Sequence, residues 1–244
     1  MTYSITGIAY LILLFVLGYL FYRLLHYWKK ERDPASRQAL YIVGFFGLFV
    51  LNAAISGLFF ADNPIILEKA AKANSFIQAF AFAVVAYHVI YLKFPKISPW
   101  IGFIPIFILG LIAAILTLTH LHFSPFLEAS GSINWGFSSS SMAVPVLLLR
   151  TFISLVTLVP LIIIFLLQFK NSENYLIRRK SLGISFVFLF VLIGALLDFL
   201  LIRIFNLDPI WRDMVFIICG AILLITLVLT LTDSKTKSLK YEPR

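Results

Sequence analysis

Seven long apolar runs, separated by short polar or charged intervals, occupy most of the chain. They lie at about 5–26, 39–60, 73–93, 99–119, 144–168, 180–204 and 212–232. A helix that crosses a membrane needs about 20 mostly apolar residues, and each run is long enough. Buried helices of a soluble protein can be equally apolar, but the intervals here carry too few charges to cover seven of them. The pattern predicts an all-α integral membrane protein. Residues 1–232 form a bundle of seven transmembrane helices, and residues 233–244 form a short basic tail.

Composition points the same way. Of 244 residues, 61% are hydrophobic and 13% charged, against about 45–50% and about 25% in soluble domains. A net charge of +9 would suit nucleic acid if it formed one soluble face. Instead the basic residues cluster between apolar runs, which excludes nucleic acid and makes the lipid bilayer the first partner. Fifteen of them (Arg23, Lys29, Lys30, Arg32, Arg37, Lys93, Lys96, Lys170, Arg178, Arg179, Lys180, Lys235, Lys237, Lys240 and Arg244) flank one set of run ends. Four (Lys69, Lys72, Arg203 and Arg212) flank the other, and Arg150 lies within a run, which accounts for all 20. Lysine and arginine concentrate on the cytoplasmic side of membrane proteins. The expected topology is therefore N-terminus outside and C-terminus cytoplasmic, in the plasma membrane. The first run lacks the basic flank of a secretory signal and is too long for one, so it is read as a retained helix. The tail "DSKTKSLKYEPR" reads as a disordered end attracted to anionic lipid, too short for a kinase or cyclase.

Charges inside the hydrocarbon are costly and usually face the protein interior with a partner. Two residues fit that description, Arg150 in the fifth run and Asp198 in "GALLDFLLIR" of the sixth. Each is about six residues, or ~9 Å at ~1.5 Å per residue, below the outer surface. Opposite charge, matched depth and neighbouring helices make them a candidate pair. Asn52 and Ser56 on the second run and Gln78 on the third reach the same level. Arg150, Ser154 and Thr157 share one helical face by their i, i+4, i+7 spacing. The cluster reads either as a polar pocket open to the outside or as a structural ion pair with interhelical hydrogen bonds. A third reading has Arg150 snorkelling alone with Asp198 protonated.

The remaining chemistry is sparse. The outer loop "HLHFSPFLEASGSINWGFSSSSMA" is long enough to be functional, and its aromatics Phe123, Phe126, Trp135 and Phe137 argue that part of it packs on the bundle mouth or the lipid interface. His120, His122 and Glu128 lack the spacing of a zinc site, so no metal is expected. His88 reads as a hydrogen-bonded packing residue, and Cys219 as a small core residue. "NAAISG" and "AFAFAVVA" allow close helix approach, and Pro105 and Pro160 mark expected kinks. The seventh run has no lysine for a retinal Schiff base and no histidines for a seven-helix zinc hydrolase. An intramembrane aspartyl protease needs two aspartates well inside its spans, and here Asp198 alone lies that deep. No phosphate-binding glycine loop and no nucleophile–base pair is present, so no enzymatic activity and no cofactor is expected.

The stretch "RRKSLGISFVFLFVLIGALLDFLL", followed by "NLDPIWRDMVFIICGAILLITLVL", resembles the N-terminal seven-helix sensor region of bacterial histidine kinases. The likeness lies in a basic inner turn leading into the sixth helix and in an outer turn with an aspartate, here Asp208, before the seventh. It extends over most of the chain in span count and topology. It implies a bundle that senses at its outer half and signals through its inner loops. That family's output domain has no counterpart after Leu231, so the expected protein is a standalone sensor acting through a separate cytoplasmic signalling protein. A small transporter or permease subunit using Arg150 and Asp198, and a structural subunit of a membrane complex, are the alternatives.

Overall fold

The computed structural model describes residues 3–32, 34–120, 125–135, 143–197 and 207–238. Within them the chain forms seven helices and one small hairpin: α1 (Ile5–Glu31), α2 (Pro34–Phe59), α3 (Pro64–Lys93), α4 (Trp100–His120), β1 (Phe126–Leu127), β2 (Ile133–Asn134), α5 (Ala143–Asn171), α6 (Tyr175–Leu197) and α7 (Ile210–Ser238). Five helices, α1 to α5, are long and apolar enough to cross a membrane, and α6 carries a shorter apolar segment, Ser181–Gly194. The all-α expectation needs one amendment, the two-stranded hairpin in the loop between α4 and α5.

Several helices outrun the apolar segments that announced them. Hydropathy marks where a membrane would lie; backbone hydrogen bonding continues into water until something stops it. α3 starts at Pro64 instead of about 73 because Asn63 caps it, its side chain accepting from the Ile66 amide at 3.1 Å. Proline at the first helical position loses nothing, since its missing N–H would be unpaired there. A Lys72–Glu68 pair at 2.6 Å supports the added turns. α7 likewise continues to Ser238, so residues 233–238 are helical, not the disordered tail expected. No glycine or proline interrupts them.

The helices close into a ring. α1 packs on α2, α2 on α3, α3 on α5, α5 on α6, α6 on α7 and α7 back on α1. α4 stands outside, against α3 and α5. Its outer face carries Ile101, Ile104, Ile108, Ile112 and Ile115, each 43–62% exposed and spaced three or four apart along one helical stripe. In water such a stripe would be a large apolar patch; against lipid tails it is a matched surface.

Small residues set the closest approaches. A Cβ on Gly7 would fall 2.6 Å from the Gly57 carbonyl carbon, so α1 and α2 touch backbone to backbone. On the other side of α3, Gly110 of α4 rests on Ala79, where an added Cβ would lie 2.8 Å from the alanine methyl. Ala79, Ala81, Ala83 and Ala86 are all buried. Between lipid-exposed helices, packing rather than hydrophobic burial drives association, which small residues favour.

One end of the bundle gathers the N-termini of α1 and α7 and the C-terminus of α2, with the hairpin laid across them. Gly131, at φ 82, makes the turn, and the Gly131 amide donates to the Glu128 carbonyl at 2.9 Å. The Gly131 carbonyl accepts from the Ile5 amide at 2.8 Å, one of the donors that a helix start leaves unpaired. Ile133 is fully buried with Ala61 and Leu67, and Leu127 and Trp135 pack against them, whereas Phe126 is exposed. Phe123 and Phe137 lie outside the described residues.

Candidate functional site

Inside the ring is a cavity of about 220 Å³. Every ring helix lines it and α4 does not. α1 contributes Tyr10, Leu13, Val16 and Leu17; α2 contributes Phe46, Phe49 and Val50; α3 contributes Gln78 and Phe82. α5 gives Leu147, Arg150, Thr151 and Ser154; α6 gives Val187, Phe190, Val191 and Gly194; α7 gives Arg212, Phe216 and Leu223. The polar groups lie toward the hairpin end, and Leu17 and Leu223 line the cavity further from it. The aromatic wall is ordered by edge contacts, with Phe216 meeting Tyr10 at 5.8 Å and Phe190 also at 5.8 Å between ring centroids. Gly194 lets Phe216 in, since a Cβ there would sit 2.7 Å from its ring.

Arg150 is positioned by two hydroxyls from neighbouring helices. Its Nη2 donates to Ser75 Oγ of α3 and to Thr117 Oγ1 of α4 at 2.8 Å. Each hydroxyl gives its own proton to its helix, Ser75 to the Ala71 carbonyl at 3.1 Å and Thr117 to the Ala113 carbonyl at 2.7 Å. Their oxygens are thereby left as acceptors, which is what a guanidinium, a donor only, requires. α4 thus reaches the site from outside the ring, through Thr117.

The residues singled out from the sequence separate into two groups. Arg150, Gln78 and Ser154 meet on the cavity wall. Asn52 turns instead toward α3, where its Nδ2 donates to Asn74 Oδ1 at 2.8 Å and to the Ala70 carbonyl at 2.9 Å. Ser56 bonds the Asn52 carbonyl of its own helix at 2.8 Å, and Thr157 the Ile153 carbonyl at 2.7 Å. Ser154 also bonds back, to the Arg150 carbonyl at 2.9 Å. In a helix, serine and threonine readily return their protons to the preceding turn, so a polar residue in a span need not face the pocket. Asp198 lies outside the described residues, as do His122 and the His120 side chain.

A second polar centre was missed in the sequence. Arg212 Nε donates to Asp213 Oδ1 at 2.8 Å, with the residues 1% and 0% exposed. Thr6 Oγ1 donates to Asp213 Oδ2 and accepts from the Ile133 amide at 2.7 Å. Arg212 Nη2 reaches the Ile133 carbonyl at 3.2 Å. At the tip, Ser130 Oγ donates to Asp208 Oδ1 at 2.9 Å, and the same carboxylate oxygen accepts from the Ile210 amide at 2.9 Å, capping α7. In sequence, Arg212 counted as one more flanking charge, and Asp213 beside it drew no attention. Only the serine-, glycine- and aspartate-rich composition of the loop and turn hinted at such contacts.

At the opposite end His88 Nδ1 lies 3.0 Å from Gln38 Oε1, both residues buried. Glu128 accepts from Asn134 Nδ2 at 2.9 Å within the hairpin. Among the described residues no three histidine, cysteine, aspartate or glutamate side chains gather in a group that could hold a metal ion. Cys219 is a free, half-buried thiol at the edge of the core. No protein-family model matches the chain, and no curated protein matches it in sequence.

Proposed function

We propose that the chain is a seven-span protein of the plasma membrane, with its N-terminus outside and its C-terminus in the cytoplasm. It binds a small molecule in the outer half of the bundle and passes the change to a separate cytoplasmic signalling protein. The observation that carries this reading is the cavity of about 220 Å³ enclosed by six helices, with Arg150 held on its wall by Ser75 and Thr117. Ligand sites are typically concave and mostly apolar, with a few placed polar groups. A cavity between helices, unlike one within a loop, makes helix spacing depend on occupancy. The inner ends of its lining helices bear the basic residues, Lys93 on α3 and Lys170 on α5 among them, which supports both the orientation and the output face. Leu17 and Leu223 line the cavity away from its polar end, which favours binding over conduction of a charged solute. The likeness to histidine-kinase sensor regions supports the same direction.

The test uses nitroxide labels at Lys93→Cys and Lys170→Cys in a Cys219→Ser background, in nanodiscs, with toluene as a neutral probe of the cavity. The distance between the inner ends of α3 and α5 is expected to shift with saturating toluene. The shift should vanish in Phe82→Trp, which fills the cavity. Unchanged distances with toluene demonstrably bound would remove the sensing mechanism.

A further inference from the structure

The cavity, taken as the binding site proposed above, has most of its polar side chains already engaged. Arg212 is bonded to the buried Asp213 at 2.8 Å and to the Ile133 carbonyl at 3.2 Å. Arg150 is bonded to Ser75 and Thr117. Neither guanidinium is free, so neither is counted on to select a ligand by charge. Thr151 and Ser154 donate their protons to their own helix, to the Leu147 and Arg150 carbonyls, each at 2.9 Å. Their oxygens keep lone pairs for a guest but no proton.

Gln78 differs. It lines the cavity from α3, one turn beyond Ser75 and half-buried. Its carboxamide makes no hydrogen bond among the described residues. A carboxamide is neutral and both donates and accepts, and a polar group in an apolar wall is costly to leave unbonded. Its complement is a neutral polar group. A charged head would give up its hydration for one bond to an uncharged partner.

Beyond Gln78 the wall is aromatic. Phe82 follows it by four residues, on the same face of α3, and meets Phe46 edge-on at 5.8 Å between ring centroids. Phe216 meets Tyr10 and Phe190 in the same way. Rings favour edge-to-face and offset partners, so a flat ring seated here adds contacts of the kind the wall already makes. Size sets a ceiling. An apolar cavity of ~150 Å³ accepts benzene, so by proportion 220 Å³ holds about nine non-hydrogen atoms.

We propose that the ligand class of this cavity is a small neutral aromatic molecule carrying one hydroxyl. Its ring lies among Phe46, Phe82 and Phe216. Its hydroxyl accepts from the Gln78 carboxamide and donates to the lone pair that Ser154 keeps. This assignment rests on the pocket reading and goes beyond it in naming the ligand's chemistry and its polar anchor.

The experiment measures the unfolding temperature of the full chain in phosphatidylcholine nanodiscs with ethylbenzene, benzyl alcohol, benzoate and benzylammonium, which share one ring and differ in head. Phe82→Trp and Val187→Phe fill the cavity from different helices, and Gln78→Met and Gln78→Leu remove the carboxamide. Each variant is first checked for a cooperative transition without probe, and each purpose has two variants in case one misfolds. General effects of a probe on the bilayer cancel when the wild type is compared with the filled variants. Benzyl alcohol is expected to stabilise the wild type at about 2- to 10-fold lower bilayer concentration than ethylbenzene, the range of one neutral hydrogen bond. Either filling variant should abolish both effects. Either Gln78 variant should erase the alcohol's advantage and leave ethylbenzene binding intact, which a merely structural role for Gln78 would not do. Benzoate and benzylammonium should give no shift that depends on filling. Stronger stabilisation by either charged probe, lost on filling, overturns the neutral class and leaves the pocket standing. Equal effects of ethylbenzene and benzyl alcohol, or an advantage that survives both Gln78 variants, overturn the hydroxyl anchor and again leave the pocket. If no probe distinguishes the wild type from the filled variants, the pocket reading falls as well.

Discussion

Thr6, in the first turn of α1, and Asp213, in the first turn of α7, share a hydrogen bond between buried side chains although 207 positions separate them. The same Thr6 hydroxyl accepts from the Ile133 amide, so one side chain ties the first helix, the last helix and the hairpin together. The ring closes at this point. With Arg212 completing the contact on Asp213 and on the Ile133 carbonyl, a polar network joins the apolar contacts between α1 and α7, such as Tyr10 on Phe216.

Asp213→Asn should therefore be among the most damaging single changes, because it removes the carboxylate from a buried guanidinium. Breaking a buried pair from one side costs roughly 3–5 kcal/mol. Arg212→Met with Asp213→Leu should recover most of that loss. Thr6→Val should cost about 1–3 kcal/mol, the penalty for a buried partner left unsatisfied. Thermal unfolding in detergent, run as a double-mutant cycle, measures the coupling; additive effects would show that the pair contributes no mutual energy.

Gly57→Ala and Gly47→Ala should differ in sign. A Cβ at Gly57 would lie 2.8 Å from the Gly7 Cα, while one at Gly47 meets nothing within 4 Å. The first change forces α1 and α2 apart, at a cost of about 1–3 kcal/mol for overpacking. The second gains about 0.5–1 kcal/mol from the lower backbone entropy of alanine in a helix. Unfolding midpoints of the two variants, measured side by side, check the contrast, and equal destabilisation would contradict it.

Gln38→Leu alone should destabilise by about 1–3 kcal/mol, since the buried His88 ring loses its contact at 3.0 Å and an unsatisfied polar group remains. Gln38→Leu with His88→Phe should come close to the wild type. A pair whose double variant is worse than the sum of its singles would point to a role for His88 beyond packing.

Topology can be read with single cysteines in a Cys219→Ser background. Ala129→Cys, exposed on the hairpin, should react with a membrane-impermeant maleimide added to intact cells. Lys96→Cys, exposed between α3 and α4, should react only after permeabilisation. The reverse pattern would invert the proposed orientation.

Helix class and approximate helix positions were legible because a backbone in hydrocarbon must satisfy its own hydrogen bonds, and long apolar runs can do so only as helices. Arg150 was legible as a focus because a charge in such a run needs company, and Gln78 and Ser154 do share its cavity wall. What only the tertiary structure decided is direction around each helix. When lipid and core are both apolar, a core-facing Phe82 and a lipid-facing Ile108 look alike in sequence, and periodicity loses its power to say which face is inside. That is why nothing in the sequence placed α4 outside the ring, turned Asn52 toward Asn74, or distinguished the buried Arg212 from the flanking charges around it. Those outcomes depend on where glycine and alanine let two backbones meet, and on which distant hydroxyl or carbonyl the folded chain brings within reach of a buried charge.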